Sequence, residues 1–429
     1  MLVGQVAIPT SAVGPRLTYR LVMPAVTVDL LDPASFAAGH PFEQYRWLRE
    51  HDPVHWHDEP GGPGFWAVTT HADVRAVGKD PVTFSSSPTI MIPDADVLAV
   101  EDHTMMLTMD PPRHSRYRRL VNREFTPRAV QGLRGRVIGL ATRIVDAVIE
   151  RGECDLVDDI AGEMPSYVVA DLLGLPLEDG RELYRLTETI HAAPGALPEG
   201  SQLGAILAMF NYAHEVQTAK RQCPADDLSS RLLASEIDGR TLDEIDFNLF
   251  FLLLVDAGGD TTRNLVGGGV HALFEHPDQL DVLRRDIDAS LPVASEELLR
   301  WVSPVVYMRR TAMVDTELAG VSISAGDKVV MYYGSANRDA DAFGEPDRLH
   351  LARTPNDHLA FGGGGPHFCL GAHLARIEIH ALLREILTRM PELEPAGPAQ
   401  WQPSTFISGP KHLPVRFRPG RRSTAGADR

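Results

Sequence analysis

The stretch HLAFGGGGPHFCLGAHLAR, His358 to Arg376, decides how the rest of the chain is read. Four glycines and a proline lead to a single cysteine, Cys369, and Leu370, Leu374, Ile377, Ala381 and Leu382 then recur at roughly helical spacing. A cysteine at a helix N-terminus meets free N–H groups and the positive end of the helix dipole, and both favour thiolate over thiol. Gly362 to Gly365 allow positive φ and a backbone pressed against a flat partner, Pro366 stiffens the approach, and Gly371 keeps the far side of the sulfur clear. A phosphate loop would need Lys-Ser/Thr after the glycines, and none follows. A zinc site from His367, Cys369 and His373 has suitable ligand types but no second cysteine nearby. A flexible loop ahead of an inert buried thiol is the plain alternative.

The totals narrow the class. The chain has 429 residues, 44% apolar and 23% charged, as in an ordinary folded enzyme. A net charge of -17 argues against nucleic acid and anionic membrane surfaces as partners. Of 41 basic residues only Lys79, Lys220, Lys328 and Lys411 are lysines. Cys154, Cys223 and Cys369 are odd in number and far apart, which disfavours a disulfide framework and suggests a reducing cytoplasm. No apolar run reaches the roughly 18–20 residues that span a bilayer, so no membrane anchor is expected.

Periodicity sketches a mainly α, α+β chain. PFEQYRWLREHDP, from Pro41 to Pro53, reads as an amphipathic helix stopped by proline, and VHWHDE and GFWAVTT read as two strands around PGGPG. Helical spacing dominates from about Pro111 to Pro304, and strand signals return in ELAGVSISAGDKVVMYYGSA and HLPVRF. With no repeat or linker evident, residues 28–418 are expected to form one domain, with residues 1–27 a flexible tail and 419–429 a C-terminal tail.

A second segment carries chemistry. TLDEIDFNLFFLLLVDAGGDTTRNLVGGGVHALFEHP predicts a helix of about 50 Å at ~1.5 Å per residue. Thr241 and Glu244 have capping-box spacing, and His276-Pro277 marks the end. Its five glycines each cost roughly 1 kcal/mol against alanine, so Gly258 and Gly259 imply close approach to a cofactor. Leu253, Asp256, Ala257, Asp260 and Thr261 fall on one stripe. An Asp-Thr pair mid-helix is otherwise a solvated or back-bonded pair.

Taken together these stretches resemble the cytochrome P-450 monooxygenases. In that family's cysteine loop Gly365, His367, Cys369, Leu370 and Gly371 match, while Phe361 lies eight residues before Cys369, one further than usual. The resemblance covers nearly the whole chain, from PFEQYRWLREHDPV to SGPKHLPVRF. It implies the cytochrome P-450 fold, with haem b between the long central helix and the cysteine loop and Cys369 as axial ligand of the iron. It makes Ala257, Gly258, Phe361 and Gly371 cofactor-binding. Asp260 and Thr261 become the catalytic acid–alcohol pair that delivers protons to dioxygen. Glu297, Arg300 and Arg353 form a structural ion cluster. His114, Arg118, Arg310 and His367 meet the haem carboxylates, with Arg309 competing with Arg310, because unpaired buried charge is costly.

The chain has one haem domain, so electrons come from outside. The resemblance implies a ferredoxin, its NAD(P)H-dependent reductase, and docking on an exposed face of Arg113, Arg116 and Arg123. A monomer is expected. Substrate-facing segments are residues 89–106, 192–203, 305–308 and 406–409. They bring Met91, Met105, Met106, Val306, Met308 and Ile407 to an apolar cavity beside Leu253 and Ala257. Asp256 either hydrogen-bonds a hydroxyl, amide or amine of the substrate or pairs with a neighbouring side chain. The implied reaction is hydroxylation or epoxidation of a lipophilic small molecule in bacterial specialised metabolism or in sterol or terpene oxidation. A peroxide-driven peroxygenase and a haem-binding sensor are the alternatives.

Overall fold

Apolar residues on every side of a helix leave it no face for water, and the run from Phe247 to Leu253 is buried throughout. This run begins the central helix, Glu244–Glu275, in the computed structural model, which describes residues 26–94, 103–190, 197–401 and 403–423. Most of the expected N-terminal tail and residues 424–429 lie outside them. The capping box is not used. Thr241 pairs with Glu236 in a short ladder, and Asp243 caps the helix by accepting the Asp246 N–H at 2.9 Å. Aspartate is as good a cap as threonine, and it stands directly before the first helical residue.

Among the helices that pack against this one are Glu163–Leu173, Leu177–Ile190, Ser201–Gln222, Ile287–Val302 and Ala372–Arg389. Two apolar clusters result. Phe247 to Val255 join Met209 and Ala213, whereas Leu265 to Leu273 join Ile144, Leu298 and Leu382. Residues 256–264 lie between the clusters, so the polar residues of the central helix sit where neither core claims them. Glycines at 267 and 268 admit Val157, Pro410 and Val302 against the helix backbone.

The expected first helix is Phe42–His51, and the two expected strands are Val54–His57 and Phe65–Val68. They belong to a five-stranded sheet continued by Lys328–Tyr332, Tyr307–Ala312 and Phe84–Ser85. Its pairs are antiparallel except Phe65–Val68 with Lys328–Tyr332. Pro414–Arg416 pairs with both Glu394–Pro395 and Glu153–Asp155 in a second sheet. Among the described residues no helix is long and apolar enough to cross a membrane.

A buried ion cluster ties helix to loop. Glu297 accepts from Arg300 at 2.8 Å through both oxygens and from Arg353 at 3.0 Å, and both Glu297 and Arg300 are fully buried. Arg300 and Arg353 spend their remaining donors on the carbonyls of residues 337 to 348, which fixes that irregular segment. Glu297→Ala should destabilise the protein by about 3–5 kcal/mol in denaturant unfolding, because it strands two buried guanidinium groups. Gly135 lies on the exposed side of the helix Pro127–Val148 with nothing near its Cβ position. Gly135→Ala should therefore raise stability by roughly 0.5–1 kcal/mol in the same assay.

Candidate active site at the cysteine loop and the central helix

The glycines before Cys369 all adopt positive φ, +81°, +27°, +99° and +83° from Gly362 to Gly365. The missing side chains of Gly363, Gly364 and Gly365 leave room for the helix His71–Lys79. A Cβ on Gly365 would lie 2.2 Å from the Gly78 carbonyl, and those on Gly363 and Gly364 would face Arg75 and Lys79. The loop closes on itself where the Cys369 N–H donates to the Phe361 carbonyl at 2.9 Å. The Phe361 ring in turn lies 4.6 Å from the Arg376 guanidinium.

The last helix starts at Ala372, so Cys369 occupies the turn before it, and nothing approaches the Cβ position of Gly371. Burial pushes the thiol up, against the Gly371 N–H and the charges of Arg118 and Arg376. The expected thiolate is therefore not favoured by the protein alone; desolvation outweighs one N–H and two cations. A coordinated metal ion would reverse that balance.

Around the loop stand the four expected anion partners. Arg118, on the helix Arg113–Asn122, donates to the carbonyls of Pro366 and Phe368 at 3.1 and 2.7 Å. Arg310 is buried and donates to the Arg309 carbonyl at 2.8 Å, beside His367, Tyr333 and Gly362. Arg309 points elsewhere, to Asp94 and the Ile92 carbonyl, and Lys328 grips the same two groups. Arg310 is thus the one at the loop.

The histidines differ from expectation. Burial, reinforced by Arg118 and Arg310, lowers His114 to about 4, and burial with Arg310 lowers His367 to about 3. They stand as neutral rings 4.1 Å apart rather than as cations. His367 also engages its Nε2 with Ser86 Oγ and the Met109 carbonyl, both at 3.0 Å. His114 Nδ1 is buried with no partner, and among the described residues neither Arg118 nor Arg310 makes an ion pair. Two uncompensated guanidinium groups and an orphaned imidazole nitrogen fit a ligand carrying two carboxylates. The zinc alternative fails geometrically. Among the described residues, the groups that converge as metal ligands are His103, Asp243 and Asp246, and Asp155, Asp158 and His412.

The stripe on the central helix divides. Ala257 is exposed, Asp256 and Thr261 are half-buried, and Thr261 Oγ1 donates to the Ala257 carbonyl at 3.4 Å. Leu253 packs in the core with Met106. Asp260 turns away to accept from Tyr184 Oη at 3.1 Å, with Arg263 at 3.5 Å. Gly258 and Gly259 answer to protein neighbours: added Cβ atoms would meet Val169 at 2.5 Å and the Tyr184 ring at 3.1 Å. Tyr184 lay outside the sequence reading. Arg263 was visible in principle as the i,i+3 partner of Asp260.

Among substrate-facing residues, Val306 is fully buried in the core under the sheet. Its neighbour Val305 bridges Ile407 instead, and Met308 is half-buried. Met91 and Met105 are half-buried, whereas Met106 belongs to the core. Residues 95–102 and 192–196 of the expected lining lie outside the described residues.

Comparisons with known proteins fit this geometry. A sequence profile described as Cytochrome P450 matches residues 202–397. A steroid C26-monooxygenase of Mycolicibacterium smegmatis is 35% identical, covering 93% of this chain and 96% of its own. A methyl-branched lipid omega-hydroxylase of Mycobacterium tuberculosis is 41% identical, covering 83% and 85%. The structure of a Mycobacterium marinum cytochrome P450 in complex with pseudoionone superposes with a TM-score of 0.86 at 37% identity, covering 93% of this chain and all of that one.

Glu378, on the last helix, is buried with Oε2 unpartnered, and burial raises its carboxyl to about 8 although Thr262 opposes this. The folded state then holds a proton that the unfolded state, near 4.5, releases. Stability should fall as pH rises between these values. In unfolding curves across pH, Glu378→Gln should lack this fall, gaining on the parent between about pH 4.5 and pH 8 and keeping a constant margin above that.

Proposed function

Because the chain belongs to the cytochrome P450 family and is a monooxygenase, we propose that an external ferredoxin supplies its electrons and that its substrate is a lipophilic small molecule. Residues 28–418 form the catalytic domain in this reading. The observation that carries it is the set of unsatisfied groups around the cysteine loop: Arg118, Arg310 and His114 Nδ1 lack the anions they would pair with. Haem b, which the family implies, has two carboxylates and an iron. When bound it supplies dioxygen binding and insertion of one oxygen atom into a C–H or C=C bond.

The chain's residues have distinct tasks. Cys369 Sγ would hold the haem iron, and the Gly371 N–H with the charges of Arg118 and Arg376 would support it as thiolate. Arg118 and Arg310 would hold the carboxylates, and His114 would donate from the nitrogen that has no protein partner. Ala257, small and exposed, would leave room for the cofactor at the central helix. Thr261, whose bond to the Ala257 carbonyl is long at 3.4 Å, would exchange it for a bond to a water molecule. Asp260 passes protons toward that water from the far side of the helix. Asp256 orients a polar group of the substrate, and the half-buried Val305 and Met308 offer apolar surface backed by the buried Ile407.

Relatives named as a steroid C26-monooxygenase and a methyl-branched lipid omega-hydroxylase support a lipophilic substrate, in sterol or terpene oxidation or in specialised metabolism. Arg113 and Arg116 are exposed on the helix that reaches the cysteine loop, Arg123 is exposed just past its end, and this face suits an acidic ferredoxin fed through NAD(P)H. A surrogate ferredoxin and reductase should support turnover that weakens as salt rises, whereas peroxide alone should not; the reverse pattern overturns the reading. Sterols, methyl-branched fatty acids and pseudoionone, screened by haem spin-state change, would identify the substrate class. Asp256→Leu should weaken the best of these by roughly tenfold or more, the loss of a hydrogen bond to a charged group. Unchanged affinity and product position would remove Asp256 from the substrate site.

A further inference from the structure

Asp260 is the acid of the proposed oxygen chemistry, yet it is only 8% exposed. Its neighbours lead outward in one direction. The Tyr184 hydroxyl lies between two carboxylates, 3.1 Å from Asp260 Oδ1 and 3.5 Å from Glu188 Oε1. Tyr184 and Glu188 are one turn apart on the helix Leu177–Ile190 and so share a face. Arg263, buried to 2%, contacts both carboxylates, at 2.7 Å to Glu188 and 3.5 Å to Asp260, and its guanidinium lies 5.3 Å from the Tyr184 ring centre. Gly259 provides the room: the tyrosine ring occupies the space a side chain there would fill.

Beside Glu188 is a cavity of about 540 Å³ whose lining includes Tyr184, Glu188, Arg263 and Lys411 together with Arg143, Arg181 and Arg185. The last three are more than half exposed or close to it, at 57%, 50% and 64%, so the cavity meets solvent. A cavity this large and polar holds water. Lys411 pairs with Glu188 there. Burial opposes ionisation of Glu188, but Lys411 and Arg263 outweigh it and hold the carboxyl below its usual value. Burial and Asp260 keep the Tyr184 hydroxyl protonated.

We propose that protons for oxygen activation enter through this water-filled cavity and reach Asp260 along Glu188 and Tyr184. Both act through Asp260, as positioning residues. A proton passes from cavity water to Glu188 and then to the tyrosine oxygen, which gives up its own proton to Asp260. Asp260 hands it to the water at Thr261, and each carrier returns to its starting state. One turnover consumes substrate, one dioxygen, two electrons from the external donor and two protons from the cavity, and yields oxygenated product and one water. The path rests on the reading of Asp260 given above.

Tyr184→Phe removes a single oxygen atom and keeps the ring against Gly259. With a surrogate ferredoxin, its reductase and pseudoionone, this variant should form roughly tenfold less product per electron pair and show a larger solvent deuterium isotope effect. Its spin-state affinity for pseudoionone should be unchanged. Glu188→Gln should shift coupling and isotope effect the same way, and serves if the tyrosine variant folds poorly. A second readout needs no turnover: Tyr184→Phe and Asp260→Asn should be non-additive in unfolding midpoint. Normal coupling in both relay variants with impaired Asp260→Asn would overturn the path and leave the reading of Asp260 standing. Normal coupling in Asp260→Asn would remove both, and additive midpoints would deny the contact on which the path depends.

Discussion

A charge taken out of water needs an opposite charge or a change of protonation, and the fold separates its buried ionisable groups by which of these they find. Glu297, Arg300 and Arg353 satisfy one another and the carbonyls around them, so that cluster is complete within the polypeptide. The cysteine loop is the opposite case. Its thiol is pushed toward the neutral form, two histidines are held neutral, and two arginines lack carboxylates. A region arranged this way is finished by something that brings an electrophilic metal and negative charge together.

The cysteine loop was legible because its geometry is local: glycines, proline and cysteine are contiguous, and the loop's positive φ values follow from glycine alone. The Glu297 cluster was legible for a related reason, since Glu-x-x-Arg places both groups on one helical face and only Arg353 had to be brought from a distance. Residues whose task depends on another element were read less well. Asp260 finds Tyr184 from 76 positions away, and Gly258 owes its missing side chain to Val169 on a different helix. Val306 shows the sensitivity of extended chain. Successive side chains alternate in direction, so the core position Val306 and the half-buried Val305 beside it meet different surroundings.

The central helix reconciles opposite demands along one element. Its apolar stretches, Phe247 to Val255 and Leu265 to Leu273, anchor two separate cores, while residues 256–264 carry three acidic or basic groups, Asp256, Asp260 and Arg263, in the interval between them. Helical rotation sends these groups to different places. Thr261 and Ala257 share one face; Asp260, one residue away and about 100° around at ~3.6 residues per turn, belongs to another. The acid can thus be reached from outside without the open face of the helix being opened to bulk water.

The scarcity of lysine has a practical sequel. Lys328, Lys220 and Lys411 are each tied to carboxylates, leaving Lys79 as the exposed side-chain amine without an ion pair among the described residues. It stands at the end of the helix against which Gly364 and Gly365 are folded. Coupling through side-chain amines would therefore attach the molecule to a bead or an electrode predominantly in one orientation, with the back of the thiol-bearing loop nearest the support.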